Sequence, residues 1–162
     1  MRAMQRSPEE IAEMRKAWRS PPPGRLIGRG HPAGDFLEAY EWVLEEESPG
    51  ALTVLATIPD HVRNPRGQLF GGFTGTYVDF MSLFTFWAGR EDERVKTRSW
   101  LATLNMRVDY FRPVMGPRFE MEGRVVHLRG GTGMIETRFF EEGAGPEGSP
   151  LVYAYTTLKA TG

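Results

Sequence analysis

Two hydrophobic periods divide the chain. From Gly72 to Ala88 the residues Phe73, Tyr77, Phe80, Met81, Phe84, Trp87 and Ala88 recur every three or four positions, the spacing of an α-helix with an apolar stripe. Val78, Leu83 and Phe86 leave the other faces barely more polar, so this helix is expected to be buried. Elsewhere the period drops to two. Across Ser99 to Phe111, the residues Trp100, Ala102, Leu104, Met106, Val108 and Tyr110 alternate with polar ones, which predicts a strand with one buried face. Phe119, Met121, Gly123, Val125 and His127 share one face of the next predicted strand. Arg129-Gly130-Gly131-Thr132-Gly133 then turns the chain into Met134 to Glu141, and a last strand is expected over Leu151 to Ala160.

The first third reads differently. Ser7-Pro8-Glu9-Glu10 has the form of a capping box with proline at the first helical position, predicting a helix from there to about Trp18. Ser20-Pro21-Pro22-Pro23-Gly24 stops it. Gly28, Gly30 and Gly34 resemble a dinucleotide loop only loosely, and no strand precedes them and no helical pattern follows, so that reading is discarded. Tyr40, Trp42 and Leu44 alternate within Phe36 to Glu47, and Ser48-Pro49-Gly50 turns into Ala51 to Ile58, a predicted hairpin. A loop over residues 59–67 delivers the chain to the central helix, and a charged loop over residues 90–98 leaves it. The order is helix, two strands, buried helix, four strands. This argues for α+β architecture: a curved antiparallel sheet wrapped around one long central helix, with an N-terminal helical extension. Residues 1–35 are assigned to that helix and its linker, and residues 36–162 to the main domain.

A length of 162 residues suits one core. A net charge of −1 provides no global field for nucleic acid or an anionic membrane. The absence of cysteine removes disulfides, thiolate metal sites and cysteine nucleophiles, and three scattered histidines offer no metal site. The first residues lack the apolar core of a secretion signal, so a cytoplasmic location is expected. No Gly-x-Ser-x-Gly elbow supplies a serine nucleophile.

One residue breaks the apolar run. Between Arg66 and Arg90 the only charged side chain is Asp79, and a carboxylate in such a helix needs a partner or a purpose. A membrane span is a poor account of the helix, which is short of about 20 apolar residues and interrupted by glycines, threonines and Asp79. A purely structural ion pair or cap is the other plain account of Asp79.

Three motifs, in this order, give a resemblance. They are Asn64-Pro65-x-Gly67 with Gly71-Gly72 and Asp79; Thr103-Leu104-Asn105 with Tyr110-Phe111-Arg112-Pro113; and Gly123-Arg124-Val125-Val126-His127. Together they resemble the hotdog-fold acyl-CoA thioesterases, in the branch that includes phenylacetate-degradation thioesterases, over about residues 36–160. The resemblance implies that Asp79 acts as general base or nucleophile, that the Gly71 amide polarises the thioester carbonyl, and that Asn64 orients the carboxylate or the attacking water. It implies an acyl-CoA substrate with no separate cofactor and no metal. Gly67 and Gly72 would border the substrate, and Arg112 and Arg129 stand where relatives often bind the phosphates of coenzyme A. It also implies a homodimer, or a dimer of such dimers, with the site shared between subunits and the strand Ser99 to Phe111 as a candidate edge. Relatives usually carry histidine where Phe70 stands, so Phe70 is expected to wall the acyl pocket. A non-catalytic acyl-CoA- or lipid-binding protein is the alternative. A hydratase is disfavoured because the helix has no histidine.

Overall fold

The structure, a computed structural model, describes residues 5–90 and 100–161. The helix α1 (Pro8–Arg19) starts at the expected capping box: Ser7 Oγ accepts the Glu10 amide at 3.2 Å, and Glu10 Oε2 accepts the Ser7 amide at 2.7 Å. After the proline turn comes a short helix, α2 (Pro32–Phe36), capped by His31, whose Nδ1 accepts the Gly34 amide at 3.1 Å. A 3₁₀ turn over Ala39–Glu41 follows. The strand expected from Phe36 therefore starts late, as β1 (Val43–Ser48). Pro32 is set for a first helical turn, and Glu38 at φ 53° then redirects the chain; the apparent alternation across Tyr40 and Trp42 spans the 3₁₀ turn rather than a strand.

β2 (Ala51–Thr57) completes the first hairpin through Gly50 at φ 77°. Then come α3 (Gly71–Ala88), β3 (Trp100–Tyr110), β4 (Arg118–Arg129), β5 (Thr132–Glu141) and β6 (Val152–Thr161). The charged loop, beyond Arg90, and Ser99 lie outside the described residues. All six strands pair antiparallel in the order β1-β2-β4-β5-β6-β3, leaving β1 and β3 as the edges. The expected α+β sheet wrapped on one long helix is observed. Among the described residues, no helix is long and apolar enough to cross a membrane.

The sheet holds α3 through close contact. Tyr77, fully buried, stacks on Trp42 at 5.1 Å, touches Phe119 and Phe139, and donates its hydroxyl to the Thr57 carbonyl at 2.8 Å. Burial pushes the Tyr77 phenol well above its ordinary pKa. Gly123 and Gly133 let the helix sit against the strands: a Cβ at Gly123 would lie 2.0 Å from Thr85 Oγ1, and one at Gly133 2.7 Å from the Phe86 ring. A second side of α3 is covered in part by α1, whose Trp18 meets Phe84 at 6.4 Å and Trp87 at 6.3 Å. Trp18, Leu26 and Ile27 join the same core as Trp42 and Tyr77.

Two bulges change which side chains face the helix. In β3, Thr103 pairs with Leu158 and Asn105 with Thr157, so Leu104 is an extra residue. Leu101 and Thr103 face α3 before it, and Met106, Val108 and Tyr110 after it. The expected single buried face is thus split, leaving Trp100 and Leu104 48 and 57% exposed. In β4, Val126 is the extra residue, so Leu128 turns inward and His127 is exposed rather than set among the apolar neighbours predicted for it.

The Gly123 contact is directly testable. Gly123→Ala is expected to lower stability by about 1 to 3 kcal/mol through the clash with Thr85. Adding Thr85→Ala should recover part of that loss. Denaturant unfolding of the two single variants and the double variant measures the coupling; purely additive losses would contradict the packing account.

Candidate active site at the start of the central helix

The residues before α3 form a rigid turn. Asn64 Oδ1 accepts the amides of Arg66 at 2.9 Å and Gln68 at 3.1 Å, while Asn64 Nδ2 donates to Gln68 Oε1 at 3.0 Å. Gly67 sits at φ 76°, a conformation suited to glycine. Arg63 braces the turn by donating to the carbonyls of Ile58, Gly67 and Gly116 at 2.7 to 2.9 Å. Leu69 and Phe70 then donate their amides to Val114 and Val62, which fixes where the helix begins.

The helix start carries no cap. Phe70 is the N-cap residue and its side chain accepts nothing, and the Gly71 and Gly72 amides have no acceptor among the described residues. Both glycines are exposed. Two free donors at the positive end of an 18-residue helix make a site for a negative or polarised oxygen.

Aromatic rings flank these donors. The Phe70 ring folds over Gly72, where a Cβ would come within 2.8 Å of its Cε1, so Gly72 is needed by Phe70 itself. Tyr110 lies on Gly71 and donates its hydroxyl to the Gly71 carbonyl at 2.9 Å. Phe73 and Phe36 extend the Phe70 side, with centroids 5.8 and 5.6 Å apart in turn, and His61 packs on Phe36 at 4.8 Å. A cavity of about 320 Å³ opens beside the helix start, lined in part by Asn64, Gln68, Gly71, Thr74, Tyr110 and Arg112.

The structure brings three of the sequence-predicted residues, Asn64, Gly71 and Arg112, to this cavity. Gly67, Phe70 and Gly72 are not among its lining residues; they belong to the adjoining turn and helix start. Asp79 is not among the lining residues. It stands eight residues further along α3, about 12 Å along the axis, half-buried beside β3, where Thr103 donates its hydroxyl to Asp79 Oδ1 at 2.6 Å. Asn64 is committed to its own turn and makes no bond to Asp79 in this chain. Arg112 is tied to Glu141 at 3.4 Å and to the Ser149 carbonyl at 3.0 Å. Arg129 is exposed at the β4–β5 turn, near the other end of α3, where Arg90 donates to the Gly130 carbonyl. The two arginines are thus separated by most of a helix about 27 Å long. Thr103 is the partner of Asp79 that strand periodicity did not assign, because the bulge at Leu104 sets its direction. No cluster of His, Asp or Glu among the described residues is arranged to hold a metal ion.

A family model described as the thioesterase superfamily matches residues 66–146, half of the chain. Solved structures share the fold. A phenylacetic acid degradation-related protein of Ralstonia eutropha is 18% identical, over 92% of this chain and 97% of that one, with a TM-score of 0.65. A hypothetical thioesterase of Streptococcus pneumoniae, solved with coenzyme A, is 19% identical over 75% of this chain and 90% of that one, at 0.60. A Streptococcus mutans protein bound to acetyl-CoA is 20% identical over 75% and 90%, at 0.59. No curated protein sequence matches the chain.

Replacing Asn64 tests the turn. Asn64→Ala removes the acceptor of two amides and should cost about 1 to 3 kcal/mol in denaturant unfolding. Asn64→Asp keeps both acceptors and should stay closer to wild type. Equal losses in the two variants would show that these bonds do not hold the turn.

Proposed function

The chain belongs to the thioesterase superfamily, and on that premise we propose that it hydrolyses an acyl-CoA thioester to a free acid and coenzyme A. The observation that carries this reading is the uncapped start of α3, where the Gly71 and Gly72 amides are unpaired among the described residues and Gly71 lines an open cleft. A thioester carbonyl oxygen received there gains hydrogen bonds that strengthen as it becomes an oxyanion. The coenzyme A and acetyl-CoA bound by two proteins of the same fold support this substrate class.

Asp79 is the proposed general base. It takes a proton from water, the hydroxide adds to the carbonyl carbon, the C–S bond breaks, and Asp79 returns the proton to the departing thiolate. Thr103 fixes the carboxylate through its 2.6 Å hydrogen bond. A separation of about 12 Å along one helix prevents Asp79 and Gly71 of a single chain from serving the same carbonyl.

A homodimer through β3 resolves this separation. The β1 edge carries Glu45, Glu46 and Glu47 and is partly covered by the bridge from Arg25 to Val43, whereas the β3 edge exposes Trp100, Leu104 and Tyr110. Two antiparallel β3 strands paired about an axis at Arg107, with Leu104 again the extra residue, would set Thr103 opposite Tyr110 of the partner subunit. Since Thr103 holds Asp79 and Tyr110 holds Gly71, each carboxylate would then approach the other subunit's helix start.

Asp79→Asn is expected to lower turnover by about 100-fold or more without unfolding the chain. Gly71→Pro should also inactivate, since proline removes one amide donor yet suits a first helical position, and Phe70 at ψ 128° tolerates a following proline. Mixing and refolding the two inactive variants should restore roughly a quarter of wild-type CoA release, because a mixed dimer holds one intact site. If the mixture stays inactive, the shared site is wrong.

Phe70 favours a second reading, a non-catalytic acyl-CoA- or lipid-binding protein, since its ring cannot donate a hydrogen bond. Phe70→His is expected to shift relative rates across acyl-CoAs of different shape while leaving the melting temperature nearly unchanged. Tight acyl-CoA binding without CoA release, undiminished in Asp79→Asn, would decide for the binding protein.

A further inference from the structure

The helices of this chain begin in different ways. Ser7 caps α1 and His31 caps α2, each accepting an amide of its first turn, whereas α3 starts at Phe70 with no side-chain acceptor and no acidic residue in its first turn. Its first two residues are Gly71 and Gly72, the residue type with the greatest backbone freedom. An uncapped helix that opens on two glycines is prone to fray. A side-chain cap would hold it, but would take an amide of the first turn in doing so.

The start of α3 is held from its carbonyl side instead. Among the described residues, one side chain hydrogen-bonds the backbone of Gly71 or Gly72: the Tyr110 hydroxyl donates to the Gly71 carbonyl at 2.9 Å. That carbonyl and the Gly72 N–H are the two ends of one planar peptide unit, so fixing the oxygen fixes the direction of the N–H. A hydrogen bond accepted by the carbonyl also polarises the unit and strengthens its N–H as a donor. The Tyr110 ring packs on Gly71 as well, where a Cβ would lie 3.7 Å from its Cε1. The mount is firm. Tyr110 pairs with Val152 at the end of β3, and the next two amides, of Phe111 and Arg112, both donate to the Leu151 carbonyl, at 2.9 and 3.1 Å.

We infer that Tyr110 is a positioning residue: it holds the first turn of α3 by a carbonyl oxygen and so keeps the Gly71 and Gly72 amides ordered without consuming either. A carbonyl-side bond is the one kind that steadies this turn and leaves its donors open. The consequence for turnover rests on the thioesterase reading proposed above; the ordering itself is measured without substrate.

Tyr110→Phe removes the hydroxyl and keeps the ring on Gly71, and a melting curve checks that the variant folds. In ¹⁵N relaxation of the intact chain, the Gly71 and Gly72 amides should have order parameters of about 0.85 in wild type and roughly 0.6 or below in the variant, with Tyr77 and Val78 unchanged. The kcat for acyl-CoA should fall about fivefold, the scale of one hydrogen bond, with KM little altered. Tyr77→Phe is the control: it removes a hydroxyl bond from the same helix to the Thr57 carbonyl, and should lower the melting temperature without moving either readout. Unchanged order parameters in Tyr110→Phe, or an equal fall in kcat in Tyr77→Phe, would overturn the positioning role. Loss of order in Tyr110→Phe, in a protein whose wild type releases no CoA, would uphold that role and overturn thioester hydrolysis alone.

Discussion

The structure depends on wrapping a helix that is apolar on nearly every face. Such a helix has no stable place at a surface, so each side of α3 needs its own cover. The sheet covers one side at closest approach, where Gly123 and Gly133 remove the side chains that would hold Thr85 and Phe86 away. The N-terminal segment covers part of another side through Trp18 and His31. The strip that remains carries Gly72, Gly75, Thr76, Asp79 and Leu83 alongside β3, and none of these residues is fully buried. Packing therefore leaves exposed the strip of helix that bears the carboxylate.

The two β3 residues that touch this strip depend on one irregularity. Without the extra residue at Leu104, a strand of strict alternation would put Thr103 and Tyr110 on opposite faces. With it, Thr103 reaches Asp79 and Tyr110 reaches the Gly71 carbonyl. A bulge costs a ladder position and increases local twist. Here it aligns two hydrogen-bonding side chains, seven residues apart in sequence, along one helix.

This explains what could be read in the sequence and what could not. The three-and-four spacing of α3, the capping box at Ser7 and the turn glycines before β2 and β5 are local signals, and those elements form where predicted. The composition of residues 59–67 also announced a loop, though not that Asn64 would spend its amide on Gln68. Periodicity assigns faces by counting, and an unseen bulge shifts the count by one. Thr103 went unassigned and His127 was placed on the wrong face for that reason. The late start of β1 has another cause. Pro32 and the left-handed Glu38 bend residues 32–41 into short helical turns, and the buried residues Leu37, Ala39 and Trp42 follow neither period.

The two sheet edges differ in a way that bears on assembly. β1 presents three consecutive glutamates, and burial together with neighbouring Glu120, Glu46 and Glu142 raises the pKa of Glu45, a sign of acids already crowded in one chain. Adding a second β1 there would bring more like charges together, which opposes pairing. β3 has eleven residues, with Arg107 and Asp109 neutralising each other at 3.1 Å. Only this edge can accept another strand without accumulating charge, and it is also the edge that carries Thr103 and Tyr110. On the proposed pairing, the charge pattern that keeps β1 single selects the association that brings a carboxylate to the open amides of a second helix.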